Sequence, residues 1–425
     1  MAKAKTKVRA ISRAADKKPT VTTDTGLTDQ RLQREKILLE SIEKKFGPNL
    51  ISRASAVGYR SIPRFPTGVF ALDVALGGGW AKGRMNLIWG PQSSCKTLLM
   101  LKMIMHAQQM DFFTNKYLWQ VESGRAYKIA YVDVEGALDL VWAEKLGVDL
   151  ESLYYVRPEN AEQAAQVLES LLASGVFDIV VLDSLAAMTP EKEIDGEMGD
   201  THVGTHARLN NQMFRKIQST MNRIHNEDQS LTPTFFIINQ EREKIGVFFG
   251  SNKVKTGGKG QDFYTTMEVH SYASKMEYFD PEEKTLPKWA HFGFKVEKNK
   301  AAPPKVEGKF ILAVADDPDG AFAGGDIMED ATIMHYAERL GIFKKLDAST
   351  WEMCGKSYKR KGDLIADWFQ DAENNVKLKQ QILNILFPMV FNVGVQKEGT
   401  ERGSTEDLAT KESPDRVEPQ NSITA

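Results

Sequence analysis

At 425 residues with 42% hydrophobic side chains, the chain can build two or three cores of ordinary domain size, which excludes a mainly disordered protein. Lys and Arg number 55 against 57 Asp and Glu, a net charge of −2, so a globally basic nucleic-acid binder is excluded while a local basic groove is not. Two cysteines, Cys95 and Cys354, are too few for a disulfide framework or a zinc site. With no apolar run near the ~18 residues of a membrane helix and no apolar stretch behind the basic start, the expectation is a soluble, non-secreted, cytoplasmic chain.

The ends differ in charge. Residues 1–26 are expected to be a basic disordered tail and residues 394–425 an acidic one, both poor in large apolar side chains. Residues 27–60 hold an amphipathic helix and a linker: Leu32, Ile37, Leu38, Ile42 and Phe46 recur at helical spacing before a Gly-Pro stop. Residues 61–325 alternate short apolar runs with helical patterns (MNLIW, TLLMLKMIMHAQQM, IAYVDVE, AEQAAQVLESLLASG, DIVVLDS, LNNQMFRKIQSTMNRI, TFFIINQ). Runs apolar on both faces and separated by helices predict an α/β core, a mostly parallel twisted sheet flanked by helices. Residues 326–393 read as a small α-rich C-terminal domain.

The chemistry sits at the ends of the apolar runs. Gly90-Pro91-Gln92-Ser93-Ser94-Cys95-Lys96-Thr97 lies between a strand and a long helix, where backbone N–H groups cradle phosphates, Lys96 reaches the β and γ phosphates and Thr97 binds Mg²⁺. Cys95 stands where the motif has glycine. Beside Lys96 at a helix N-terminus, its thiol is expected to favour the reactive thiolate. Asp183 closes the strand DIVVLD and is a candidate for the Mg²⁺ shell. Glu135, after IAYVD, is a candidate for activating the attacking water. Gln240 ends FFIINQ, where a neutral amide can sense a γ phosphate. The glycine-rich stretch behind it combines Arg242, Lys244, Lys253, Lys255 and Lys259 with Phe248, Phe249, Gly257 and Gly258, as single-strand binding requires.

Taken in order, PTGVFALDVALGGG, GPQSSCKT, YVDVEGALDLVWAEKLGVD, DIVVLDSLAAMTPEKEIDGEMGDTHVG, FFIINQEREKIGVFFG and VEKNKAAP resemble the RecA family of homologous-recombination ATPases, in a bacteriophage or divergent bacterial form. The resemblance implies a P-loop ATPase that uses ATP and Mg²⁺, polymerises as a helical filament on single-stranded DNA and pairs it with duplex DNA, with single-strand-binding and loader proteins as partners and no membrane. Asp139 and Trp142 fall at the adenine contact. Residues 193–204 and 241–259 fall at the two DNA loops, Arg208 and Arg215 at DNA-contacting positions on the helix after the first. Lys298 and Lys300 match a pair that reaches ATP on the adjacent subunit, and Phe263 an interface residue.

Several features depart from the family pattern: Cys95, a longer connection at 112–128, an expanded segment at 275–291, and Val203 at the first-loop tip. A hexameric helicase on the same core is the alternative enzyme, expected to carry a distinct N-terminal domain. A mediator that binds ATP and DNA without turnover is the non-enzymatic reading, against which Glu135 argues.

Overall fold

The computed structural model describes residues 25–47, 51, 62–197, 204–243 and 253–391. Helix α1 (Thr25–Phe46) leaves Leu32, Ile37, Leu38 and Phe46 exposed. The short strands β1 (Arg64–Phe65) and β2 (Trp80–Ala81) pair antiparallel around α2 (Phe70–Leu76). Then come β3 (Met85–Gly90), α3 (Lys96–Gln108), β4 (Ile129–Asp133), α4 (Leu140–Lys145), β5 (Leu153–Val156), α5 (Ala161–Ala173) and β6 (Ile179–Asp183). Next are α6 (Glu191–Ile194), α7 (Thr205–Glu227), β7 (Thr234–Glu243), β8 (Lys253–Lys255) and α8 (Gly260–Tyr264). Three longer strands, β9 (Met267–Tyr278), β10 (Pro287–Asn299) and β11 (Glu307–Ala313), complete the sheet.

The strand order is β11-β10-β9-β3-β7-β6-β4-β5, with β8 paired to the far end of β7. From β9 through β3 to β5 every neighbour is parallel, whereas β10 runs antiparallel to both β9 and β11. The expanded segment at 275–291 is the tip of the β9–β10 hairpin.

Side chains of each parallel strand alternate between two buried layers. Ile88, Tyr131, Val181, Phe236 and Ile238 enter the layer under α3, while Leu87, Val132, Leu182, Phe235 and Ile237 enter the layer under α5 and α7. Because both faces are covered, polar side chains gather at the strand ends, and the ends become the site.

Beyond Gly325 the chain builds α9 (Asp330–Arg339), a three-stranded antiparallel meander, and α10 (Lys361–Ile365), α11 (Ala372–Leu386) and α12 (Pro388–Phe391). The meander, β12 (Phe343–Lys345), β13 (Trp351–Met353) and β14 (Lys356–Tyr358), adds three short strands to a unit that is otherwise rich in helix, as expected. Three-residue strands carry too little alternation to register as strands in the sequence. Their buried residues form a third cluster with α9 and α11, and Phe70 of α2 packs into it.

Candidate functional site

The phosphate loop links β3 to α3. Gly90 can be nothing larger, because a Cβ there would lie 2.1 Å from the Ser271 carbonyl oxygen of β9. Ser93 and Cys95 adopt left-handed backbone, φ 58° and 64°, which turns successive N–H groups into the concavity that holds anions. Cys95 thus occupies a conformation that favours the glycine of the motif.

Lys96 is buried, and its ammonium donates to the Pro91 carbonyl at 2.6 Å and the Ser94 hydroxyl at 3.4 Å. Burial lowers its pKa, while Asp183 and Glu135 act the other way. It is a cation solvated by its own loop, with the loop's amides around it. This cradle and charge fit the phosphates of a nucleotide.

Thr97 and Asp183 meet across the loop, the threonine hydroxyl donating to Oδ2 at 2.9 Å. Tyr131 of β4 donates to the same oxygen at 2.5 Å. Burial pushes the Asp183 carboxyl up to about 6, against the two hydroxyl donors. A hydroxyl and a carboxylate side by side are the hard oxygen donors that suit Mg²⁺.

Asp133 ends β4 in register with Asp183 on β6. Its Oδ1 accepts from the N–H of Gly136 at 2.7 Å and Ala137 at 3.4 Å, and its Oδ2 from Leu138 N–H at 3.0 Å and Tyr155 hydroxyl at 2.9 Å. The turn pinned in this way carries Glu135, whose Oε1 accepts from the Ser184 hydroxyl and from Gln240 Nε2, the latter at 2.7 Å. Glu135, on the turn after β4, and Gln240, from β7, are therefore joined at the carboxyl edge of the sheet.

Behind Gln240, the second-loop stem is tied to the same edge. The Thr256 N–H and hydroxyl both donate to the Gln240 carbonyl, at 3.2 and 3.1 Å. Buried Asn239 donates to Thr256 O and Gln261 Oε1, each at 2.8 Å. Gly257 and Gly258 both have φ 86°, and a Cβ on Gly257 would lie 2.7 Å from Asn210 of α7. Arg208 and Arg215 are exposed on α7, seven residues apart and so on one face, and Arg242 is exposed on β7. Lys244, Phe248, Phe249 and Val203 lie outside the described residues.

Two lysines of the basic loop are paired with acids. Lys255 is mostly buried and pairs with Asp262 and, at 2.6 Å, with Glu268; Lys253 pairs with Glu241 at 3.0 Å. Nothing in the loop's own sequence announces Glu268, which arrives from β9. Lys298 donates to the Asp262 carbonyl, to Thr265 Oγ1 at 3.3 Å and to Glu268, and Lys300 to the Phe263 carbonyl at 3.3 Å. Both lysines thus rest against α8, which presents Phe263 at 74% exposure. Asp139 caps α4 by accepting from Trp142 N–H at 3.1 Å.

The thiolate expected of Cys95 is corrected: burial pushes the thiol up to about 12, and Lys96 offsets little of that. Sequence reading also passed over Tyr131 and Ser184, though a tyrosine inside an otherwise aliphatic strand is a signal that it has a polar partner.

A family model described as the RecA N-terminal domain matches residues 33–316. The chain belongs to the RecA family. Protein RecA of Streptomyces ambofaciens is 36% identical to it over 392 residues, 90% of this chain and 94% of that one. Protein RecA of Streptomyces coelicolor is 36% identical over 380 residues (87% and 90%), and Protein RecA of Bifidobacterium breve 37% over 308 residues (72% and 70%). As a RecA-family member the chain is an ATP-binding, DNA-dependent ATPase and recombinase that forms filaments on DNA and exchanges strands. The helicase alternative has no support among these relatives. No helix among the described residues is long and apolar enough to cross a membrane.

Proposed function

We propose that the carboxyl edge of the sheet is the ATP site of this recombinase and that Gln240 carries its signal to DNA. The phosphate-loop amides and Lys96 hold the triphosphate, with Asp139 and Trp142 at the adenine. Thr97 and Asp183 hold Mg²⁺, which when bound neutralises charge on the phosphates. Glu135, oriented by Ser184 and Gln240, receives a proton from the attacking water at Oε1 or Oε2. Arg208, Arg215, Arg242, Lys244, Phe249 and the Gly257-Gly258 stem face single-stranded and then duplex DNA. Lys253 and Lys255, held in the stem by their acids, join these DNA contacts.

Lys298 and Lys300 of one subunit complete the site of the next in the filament, leaving their rest positions on α8, while α1 and Phe263 supply interface surface. Residues 61–325 form the ATPase core and residues 326–393 the small C-terminal domain, between the tails at 1–26 and 394–425. The setting is a bacterial cytoplasm, native or phage-infected, with single-strand-binding and loader proteins nearby.

The observation that carries this reading is the 2.7 Å hydrogen bond between Gln240 and Glu135, since Gln240 also receives the second-loop stem through its carbonyl. Measured ATP hydrolysis by Gln240→Ala, with and without single-stranded DNA, tests it. Stimulation by DNA should fall at least ~tenfold, with nucleotide binding unchanged. Full stimulation in the variant would remove Gln240 from the coupling.

A further inference from the structure

At the amino end of the parallel strands, opposite the phosphate loop, lies an open cavity of about 1090 Å³. Lys82 and Arg84, just before β3, line it together with Arg64 of β1. The long connection at 112–128 adds Lys116, and α11 adds Lys379. The connection also fixes Arg64 directly, because Asn115 donates to the Arg64 carbonyl and is itself held by the Tyr127 hydroxyl at 2.6 Å.

Arg64 is only 2% exposed. Its two terminal nitrogens donate to the carbonyls of Ile62 at 3.1 Å and Ala301 at 3.0 Å, and its Nε–H is buried without a partner. Among the described residues no carboxylate pairs with it. Burial and the like charge of Arg84 pull its pKa down to about 10. The acids of the cavity wall are otherwise occupied: Asp73 accepts from Thr67 N–H at 2.7 Å, Asp228 from Ser230 N–H at 2.8 Å, and Glu329 pairs with Lys379.

A buried guanidinium without a counter-charge costs several kcal/mol. Two backbone carbonyls solvate that charge and do not neutralise it. Gln229, on the same wall, has a second buried and unpartnered donor in its Nε2. The unused donors of Arg64 and Gln229 and the unneutralised guanidinium at this cavity define a complement that is anionic and rich in acceptors. We propose that this cavity is a binding site for a phosphate-type oxyanion, with Arg64 as its anchor and Gln229 as a further donor. The site is distinct from the ATP site, because the six residues of β3 separate the two by about 20 Å at ~3.3 Å per residue.

The test uses the full chain with its phosphate loop saturated by a non-hydrolysable ATP analogue and Mg²⁺, titrated with inorganic phosphate by calorimetry. One phosphate should still bind, and Arg64→Met should weaken it at least ~tenfold while leaving analogue affinity unchanged. Absence of phosphate binding once the phosphate loop is filled overturns the proposal, as does equal affinity in Arg64→Met. Should Arg64→Met not fold, Gln229→Leu decides: phosphate affinity reduced ~threefold or more supports the site, and unchanged affinity overturns it.

Discussion

Asp133 and Asp183 are the same residue at the same register on neighbouring strands, yet their surroundings give them different work. Three backbone N–H groups and a tyrosine hydroxyl saturate Asp133, so its charge is spent on shaping the turn that presents Glu135. Asp183 meets only side-chain hydroxyls, both on one oxygen, and burial makes its charged form costly. A carboxylate with spare acceptor capacity and a raised pKa is poised for a cation, whereas one used up by backbone amides is structural. Strand position alone does not tell the two apart; the donors do.

Replacing each by asparagine should separate the roles. Asp183→Asn should cut DNA-stimulated ATP hydrolysis by ~10² or more, through loss of charge at the Mg²⁺ position, without loss of stability. Indeed, because Asp183 titrates near 6 when folded and at 3.8 ordinarily, the folded chain retains a proton that the unfolded chain has released between these values. The contribution of Asp183 to the stability of the nucleotide-free, metal-free protein therefore falls as pH rises from about 4 to 6 and then levels off. Denaturant titrations at pH 4 and pH 8 should find Asp183→Asn equal to the parent at the lower pH and about 1–3 kcal/mol more stable at the higher. A variant destabilised at pH 8 would make Asp183 structural after all.

Asp133→Asn should do the reverse. One amide oxygen cannot satisfy donors that now engage two carboxylate oxygens, and the new NH₂ would face N–H groups, so unfolding free energy should drop by about 2 kcal/mol. Hydrolysis should fall only ~tenfold, through misplacement of Glu135. An unchanged midpoint in denaturant would mean that the turn is held by other contacts.

The smallest effect is expected at Cys95. Glycine relieves the left-handed strain and forfeits a partly buried thiol, so Cys95→Gly should stay within about 1 kcal/mol of the parent and keep its turnover. With the thiol pushed up to about 12, alkylation of Cys95 at pH 7.5, followed by peptide mass, should run slower than that of a free thiol in solution. Faster modification would restore the helix N-terminus and Lys96 as the dominant influences.

The sequence by itself determined the alternating apolar runs and helices, the phosphate loop, and the polar residues Asp183, Glu135 and Gln240 that follow or close the apolar runs, because these signals are local: a period of two, a glycine-rich turn, an acid or amide after an apolar run. The tertiary structure alone decided what each polar group meets. Lys255 meets Glu268 only because β9 brings it there, and Cys95 looked like a thiolate until burial outweighed its neighbour. Arg64 carried no motif at all, and its burial without a counter-charge emerges only where β1, the long connection and the residues before β3 close on one another. Charge and hydrogen bonding act through space over a few ångströms, so partners hundreds of positions apart set the chemistry of a residue that its own sequence neighbours leave open.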